Sequence, residues 1–286
     1  MARSDLLAVL GLESLKARFD APPSRPWGRM DEGIEDRALT ASRELGEKTL
    51  ALFLQHKSFL NTHPILLGSW ARGELTPGSD LDLLFLGNEE AVREVVGWAQ
   101  GKGLKIRSRV PENHDDLAQG VQLWDQFSLL DGQALTGFGK EVLQREQEKI
   151  LDAPKKVKSA WVKELWNERE ERHHRFDSIQ NLLQPQIKMG LGGLRDLHQG
   201  RILERLFPEI AEGSPHSKNI FSFYLQAFLW IRWLLHLNGE GDLLANSAQP
   251  AGVIELEDDL DIEEAKAMKD SWLETQQGPA RAGMPS

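Results

Sequence analysis

Two short apolar runs separated by a polar turn form the clearest hydrophobic pattern in the chain. The first run covers 65–67 and ends at Gly68-Ser69, and a turn rich in glycine, proline and charge leads into the second run, 80–86. Short apolar runs bounded by Gly and Pro are typical of strands. Residues two apart in a strand project from the same face. We therefore expect Asp80 and Asp82 to point to one side, and the leucines next to them to face the core.

The rest of the chain is dominated by helical periodicity. Apolar residues at intervals of three and four predict helices over 4–19, 30–56, 89–100, 138–151, 155–183 and 221–237. Alternation predicts a third strand over 104–110, residues 113–137 are predicted to be helical with interruptions, and no strand is predicted beyond 110. The pattern predicts an α/β half over 1–145, a helical half over 146–250, and an acidic segment with a disordered tail over 251–286.

Composition narrows the possible functions. The 286 residues carry 34 Lys and Arg against 44 Asp and Glu, for a net charge of −10, which disfavours a general grip on nucleic-acid backbone. The absence of cysteine excludes disulfides and thiolate metal sites. No apolar run approaches membrane-spanning length and the N-terminus lacks the apolar core of a signal peptide. We expect a soluble, cytoplasmic protein without nucleic-acid or membrane partners.

Asp80 and Asp82 are the first candidates for chemistry. Two adjacent carboxylates repel each other and raise each other's pKa unless a cation lies between them. Mg²⁺ is commonly held by one or two carboxylates together with substrate phosphates. The pair therefore predicts a divalent metal site.

The residues around this pair resemble a known family. Gly68-Ser69, the segment Arg72-Gly73-Glu74-Leu75 and the run 79–84 resemble the nucleotidyltransferase superfamily of DNA polymerase β, in the form found in bacterial PII uridylyltransferases. The resemblance implies an α+β nucleotidyltransferase core with a small mixed sheet, followed by an all-α helical bundle. It also implies Mg²⁺- or Mn²⁺-dependent transfer of UMP or AMP, from UTP or ATP, to a protein acceptor such as a PII-like signal protein.

The resemblance also implies roles for individual residues. Asp80 and Asp82 are the expected metal ligands and catalytic residues, while Gly68 and Ser69 are expected to hold phosphates. Arg72 either neutralises phosphate charge or forms a salt bridge with Glu74.

A second motif lies at 186–198, where three glycines in four positions rule out a helix interior and indicate a shaped loop. It resembles a Gly-Gly-Leu-Arg-Asp motif of the helical domain in the same family. Lys188 and Arg195 are implied phosphate contacts from this loop. The alternative is a structural helix–helix turn in which Arg195 pairs with Asp196. Farther along, Arg232 and His236 lie four apart and are expected to share a helix face, pairing with acids or facing solvent.

One feature departs from the family pattern. The superfamily places a third carboxylate on a neighbouring strand, and the matching position here is Lys105, which cannot ligate Mg²⁺ while protonated. Three explanations stay open: Asp115, Asp116 or Asp125 replaces it, the enzyme works with one metal, or the site is a degenerate module that binds nucleotide or a partner without turnover. A weaker alternative is a structural protein whose helical half is a docking face.

Overall fold

The computed structural model describes residues 6–20, 37–119, 121–176, 186–211 and 215–238. Its strands are β1 (Pro64–Leu66), β2 (Leu81–Phe85), β3 (Ile106–Arg109) and β4 (Gln133–Ala134). Its α-helices are α1 (Leu6–Leu10), α2 (Arg37–Phe53), α3 (Gly68–Ala71), α4 (Glu89–Gly101), α5 (Leu123–Ser128), α6 (Gly137–Leu151), α7 (Lys155–Phe176), α8 (Leu194–Leu206), α9 (Pro208–Ala211) and α10 (Pro215–Leu237). Short 3-10 helices cover Glu13–Phe19 and Leu60–Thr62.

The four strands of the described part of the chain form one mixed sheet in the order β3-β2-β1-β4. Strands β2 and β3, joined through α4, are parallel, and the register places Asp82 beside Arg107. Strand β1 is antiparallel to both β2 and β4. The small mixed sheet is therefore confirmed, and Asp80 directly precedes its β2 strand.

The sheet is covered on both faces, and strand alternation assigns side chains to two apolar clusters. Leu81, Leu83 and Phe85 belong to a cluster with helices α1, α2, α4 and α10. Leu84 belongs to the other, with α5, α6, α7 and α8. Burying a leucine or phenylalanine side chain completely contributes about 1.5–3 kcal/mol. Because residues two apart share a face, Asp82 points to the side of Leu84, where the later helices lie.

The described residues of the two predicted N-terminal helices are mostly helical, but the helices have other bounds than predicted. The single helix predicted over 4–19 is split in two at Gly11, which has a φ of 64°. Residues 30–36, which open the second predicted helix, lie outside the described residues, and that helix is described from Arg37.

The stretch 113–137 differs most from the prediction. Among the described residues of this stretch before Gly137, where α6 begins, only Leu123–Ser128 is α-helical. Gln133–Ala134 pairs with β1 as a fourth strand, so the prediction of no strand beyond residue 110 is wrong. A two-residue strand has no periodicity of its own, and its partner in β1 defines it. The helical bundle and the boundary near 145 remain predictions, and 251–286 lies outside the described residues. None of the described helices is both long and apolar enough to cross a membrane.

Candidate functional site

A cavity of about 520 Å³ lies among β2, β3, α3, α5, α8 and α10. Its volume is in the range typical of small-molecule sites. Among the described residues, six cationic side chains line it, namely Arg72, Arg107, Arg109, Lys188, Arg195 and Arg232. Four carboxylates also line it, namely Asp80, Asp82, Asp125 and Asp131. A chain with an excess of ten acids therefore gathers an excess of cations around this cavity.

Asp80 and Asp82 both line this cavity, as the alternation of β2 predicts. Asp80 is exposed, and the Asp82 side chain is 32% exposed. Burial raises the pKa of Asp82, and the charge of Asp80 adds to this, while Arg107 opposes it. Two carboxylates on one side of a strand fit Mg²⁺ or Mn²⁺, with substrate phosphates completing the coordination. No cluster of three or more His, Asp or Glu side chains suited to a metal occurs among the described residues.

The residue beside Asp82 on the neighbouring strand is Arg107. Its Nε lies 3.8 Å from Asp82 Oδ1, and its side chain is 72% exposed. Lys105, the predicted site of the missing carboxylate, is exposed and does not line the cavity. The basic residue next to the aspartate pair is therefore two positions later than the sequence pattern indicates.

Of the three aspartates considered as replacements, Asp125 lines the cavity and the other two do not. Asp125 is exposed in the first turn of α5. Asp115 forms a surface ion pair with Arg145, at 2.9 Å, away from the cavity. Of the three candidate replacements, Asp125 is thus the one that shares the cavity with Asp80 and Asp82.

Gly68 allows the chain to pass close to Asp82. It has a φ of 59°, in the left-handed region, and a Cβ at this position would overlap Asp82 Oδ2. The amide of Leu67 donates to the carbonyl of Asp82 at 3.0 Å, which holds the two segments together. Ser69 follows in α3 and lines the cavity, so the predicted phosphate-holding turn faces the aspartate pair.

Of the two roles that the sequence left open for Arg72, the structure shows the salt bridge, and the phosphate contact stays a prediction. The Nε of Arg72 donates to Glu74 Oε2 at 2.8 Å, and the residue also lines the cavity. Glu74 is 1% exposed, and the same Oε2 receives a hydrogen bond from His198 Nε2, at 2.8 Å. His198 belongs to α8, so a buried carboxylate ties the turn that follows α3 to helix α8.

Opposing effects of burial and charge act on the trio of Arg72, Glu74 and His198. Burial alone would raise the pKa of Glu74, but attraction to His198 and to Arg72, together with their hydrogen bonds, outweighs it and holds that pKa well below its ordinary value. Burial lowers the pKa of His198, with attraction to Glu74 opposing only part of that effect. Although burial opposes it, attraction to Glu74 raises the pKa of Arg72.

The loop at 186–198 is held by Asp196. Its Oδ1 accepts from Arg172 Nη2 at 2.7 Å, and its Oδ2 accepts from the backbone N–H of Gly192 at 2.7 Å and from His173 Nε2 at 2.9 Å. Arg172, fully buried in α7, also donates to the carbonyl of Met189. Asp196 thus pairs with α7 rather than with Arg195, which leaves Lys188 and Arg195 lining the cavity.

Replacing Asp196 with asparagine is expected to lower the free energy of unfolding by about 1.5–3 kcal/mol, the usual contribution of hydrogen bonds to charged groups. The buried guanidinium of Arg172 then loses one of its two charged partners and keeps only Glu168, at 3.2 Å. Urea unfolding at pH 7 measures the change. Asp115→Asn is the control, because its ion pair is exposed and such pairs contribute less than about 1 kcal/mol. Equal losses in the two variants would contradict the assigned role of Asp196.

Sequence reasoning missed three residues of the cavity wall. Arg109 lies two positions after Arg107 in an alternating strand, so its placement on the same side was readable. Trp124 stacks on Arg195, whose guanidinium carbon is 3.5 Å from the ring centroid, and no sequence signal indicated this pair. His198 ends the second motif, but its partner is 124 positions away.

Helix α10 adds two contacts near the aspartate pair. Arg232 is buried and lines the cavity. His236 Nδ1 accepts a hydrogen bond from the backbone N–H of Gly78 at 3.1 Å, in the turn that precedes Asp80. The shared helix face was predicted, whereas the backbone partner of His236 was not.

Comparison with known proteins gives two family matches. Residues 48–170 match the model described as nucleotidyltransferase domain, and residues 160–213 match the model described as GlnD PII-uridylyltransferase. The two segments overlap, contain every site residue named above except Arg232 and His236, and include both sequence motifs.

Curated relatives point to the same branch. A protein of Nitrobacter winogradskyi is 28% identical over 145 residues, which cover 47% of this chain and 15% of that protein. A protein of Cupriavidus pinatubonensis is 31% identical over 143 residues, covering 46% of this chain and 16% of that protein. Both are named bifunctional uridylyltransferase/uridylyl-removing enzyme. The matched segment thus spans about one sixth of the length of these relatives.

Proposed function

We propose that this chain, which matches a nucleotidyltransferase domain over 48–170 and a GlnD PII-uridylyltransferase model over 160–213, is a Mg²⁺-dependent transferase. It moves UMP or AMP from UTP or ATP to a protein acceptor of the PII type. The two relatives described above are named for uridylyl transfer, which favours UTP as the donor.

The observation that carries this proposal is the pairing of Asp80 and Asp82 with a cationic wall across one cavity. A site for a nucleoside triphosphate with a divalent cation must meet two needs. It needs carboxylates that bind the metal, and it needs positive charge that neutralises the phosphates. The six cationic side chains along the cavity wall meet the second need in a chain that is acidic as a whole.

Each residue then has a role in positioning. Asp80 and Asp82 hold the metal, which supplies charge neutralisation at the transferred phosphate when bound. The backbone at Gly68, the hydroxyl of Ser69 and the guanidinium of Arg72 hold the phosphates next to it. The hydrogen bond to Glu74 fixes the orientation of the Arg72 guanidinium. Lys188 and Arg195 contact the phosphates from the helical side, at positions set by the anchoring of Asp196 to α7.

Calorimetric titration of UTP and ATP in the presence of Mg²⁺ tests this site. Asp80→Asn is expected to weaken metal-dependent binding by about tenfold to a hundredfold, because it removes one of two charged ligands. Asp115→Asn, outside the cavity, is expected to leave binding unchanged. Absence of nucleotide binding in the folded wild-type protein would overturn the proposal.

Pyrophosphate release with a purified PII-type signal protein as acceptor tests the transfer step. Release that depends on the acceptor and is lost in Asp80→Asn is the expected result. Metal-dependent binding of UTP or ATP without release, with several PII-type acceptors, would instead identify a nucleotide-binding module that does not turn over.

A further inference from the structure

Several hydrogen-bond donors of the cavity wall are shielded from solvent and lack a partner. They are Arg109 Nη1 and Nη2, the indole Nε1 of Trp124 and Arg195 Nε. All three residues line the same cavity. Buried donors without partners are rare in proteins and destabilise the fold unless a ligand satisfies them.

The two guanidinium groups also lack close charge compensation. Burial lowers the pKa of Arg195 to about 10, with Glu168 opposing this, and Arg195 stays charged at pH 7. Burial also lowers the pKa of Arg109, opposed by Asp125. Asp125, which attracts both groups, is itself exposed to solvent and is not within ion-pair distance of either. Asp125 is therefore the carboxylate that attracts both cations, and Glu168 attracts Arg195 in addition, with neither forming an ion pair with Arg109 or Arg195.

The neighbouring arginines behave differently. Arg107, two residues before Arg109 on β3, is mostly exposed and lies beside Asp82. Arg72 is hydrogen-bonded to the buried Glu74. The cavity thus divides into a region where arginines face carboxylates and a region where donors have no acceptor.

We propose that Arg109, Trp124 and Arg195 form an oxyanion subsite that binds a phosphate group without a metal ion. This inference rests on the proposed function, because it refines the phosphate contact assigned to Arg195 and adds two residues to it.

The donor chemistry sets the class of ligand. Guanidinium and indole N–H groups only donate, so the ligand must present acceptors, and two positive charges require that it be anionic. The planar fork of Arg109 suits bidentate contact with a phosphate or carboxylate. A carboxylate is filled by a bidentate contact with one guanidinium, whereas a phosphate group has a third terminal oxygen that can also accept from Trp124 and Arg195.

Titration of inorganic tripolyphosphate into the full chain in metal-depleted buffer tests the subsite. Arg109→Met, which keeps the length of the apolar stem, is expected to weaken binding at least about tenfold, and Trp124→Phe by about tenfold through loss of one donor. The matched control is Arg145→Met, which does not line the cavity, and it is expected to change binding less than about threefold because the exposed pair of Arg145 with Asp115 lies away from the subsite. Equal weakening by the two arginine variants, or none in Arg109→Met, would overturn the subsite.

Thermal unfolding separates a ligand-binding arginine from a structural one. Without added anion, Arg109→Met is expected to raise Tm by about 2–4 °C, because it removes a desolvated cation. Tripolyphosphate is expected to raise the Tm of the wild-type protein and leave that of Arg109→Met unchanged. A lower Tm in the variant without anion would show that Arg109 serves the fold alone, and would overturn the proposal.

Two further arms identify the source of the phosphate and keep the inference separate from the proposed function. If UTP displaces tripolyphosphate, the subsite binds the phosphates of the nucleotide itself. If UTP and tripolyphosphate bind at the same time, the subsite binds a separate phosphate ligand. Asp80→Asn is expected to lose Mg²⁺-dependent UTP binding but keep metal-free tripolyphosphate binding. If the proposed function fails, metal-free binding of tripolyphosphate is still expected. If the subsite fails, Mg²⁺-dependent binding of UTP is still expected.

Discussion

Replacing Glu74 with glutamine is expected to lower the free energy of unfolding by about 3–5 kcal/mol, the range for removing one partner of a buried ion pair. Arg72 would keep its charge in a buried position, and His198 would lose an ionised acceptor at 2.8 Å. Denaturant unfolding measures the loss, and nucleotide titration is expected to show weaker binding because Arg72 is no longer oriented.

A surface pair of the same kind provides the control. Arg18 and Glu44 are 2.7 Å apart, but their side chains are 40% and 33% exposed, so Glu44→Gln is expected to change stability by less than about 1 kcal/mol. A loss of similar size in Glu44→Gln and Glu74→Gln would contradict the view that burial makes the Glu74 pairs strong.

The pH dependence of this difference follows from the lowered pKa of Glu74. A carboxyl group with a depressed pKa stabilises the fold fully above its unfolded value, here 4.5, and loses that contribution as pH falls toward the folded value. The difference between wild type and Glu74→Gln is therefore expected to be constant from pH 7 to about 5 and to shrink below 4.5. A difference that is unchanged down to pH 2.5 would show that charge is not its origin.

Replacing Gly68 with alanine is expected to reduce Mg²⁺-dependent nucleotide binding and transfer on the order of 100-fold, the effect of displacing a reacting group by about 1 Å. The new Cβ would meet Asp82 Oδ2 and push the carboxylate from its position. The left-handed φ of 59° adds about 1–3 kcal/mol of backbone strain.

Gly97→Ala is the matched control. Gly97 lies within α4, and an added Cβ there meets nothing within 4 Å. This variant is expected to keep nucleotide binding and to gain about 0.5–1 kcal/mol of stability, because alanine is more stable than glycine in the interior of a helix. Full nucleotide binding in Gly68→Ala would show that Asp82 tolerates displacement and is not a metal ligand.

The placement of the aspartate pair and its turn was readable from the sequence because it depends on local pattern. Alternation along β2 places Asp80 and Asp82 on one side, and the glycine before Ser69 marks a turn that requires a positive φ. Both properties are fixed within a few residues of chain.

Features set by tertiary pairing were not readable. The position beside Asp82 is decided by the parallel register of β2 and β3, and that register brings in Arg107 rather than Lys105. The partner of Glu74 is a histidine 124 positions away, so no local pattern marks the buried trio. Strand β4 likewise exists only through its pairing with β1.

The hydrogen bond between His236 and Gly78 joins residues 158 positions apart. The two segments that match known families end at residue 213, before α10 begins. A fragment trimmed to those segments would keep every aspartate of the cavity, yet it would lose Arg232 and the imidazole that anchors the turn before Asp80. Cutting the gene at homology boundaries would therefore yield a shorter protein whose aspartate pair lacks this support, and inactivity of such a fragment would carry no information about the full chain.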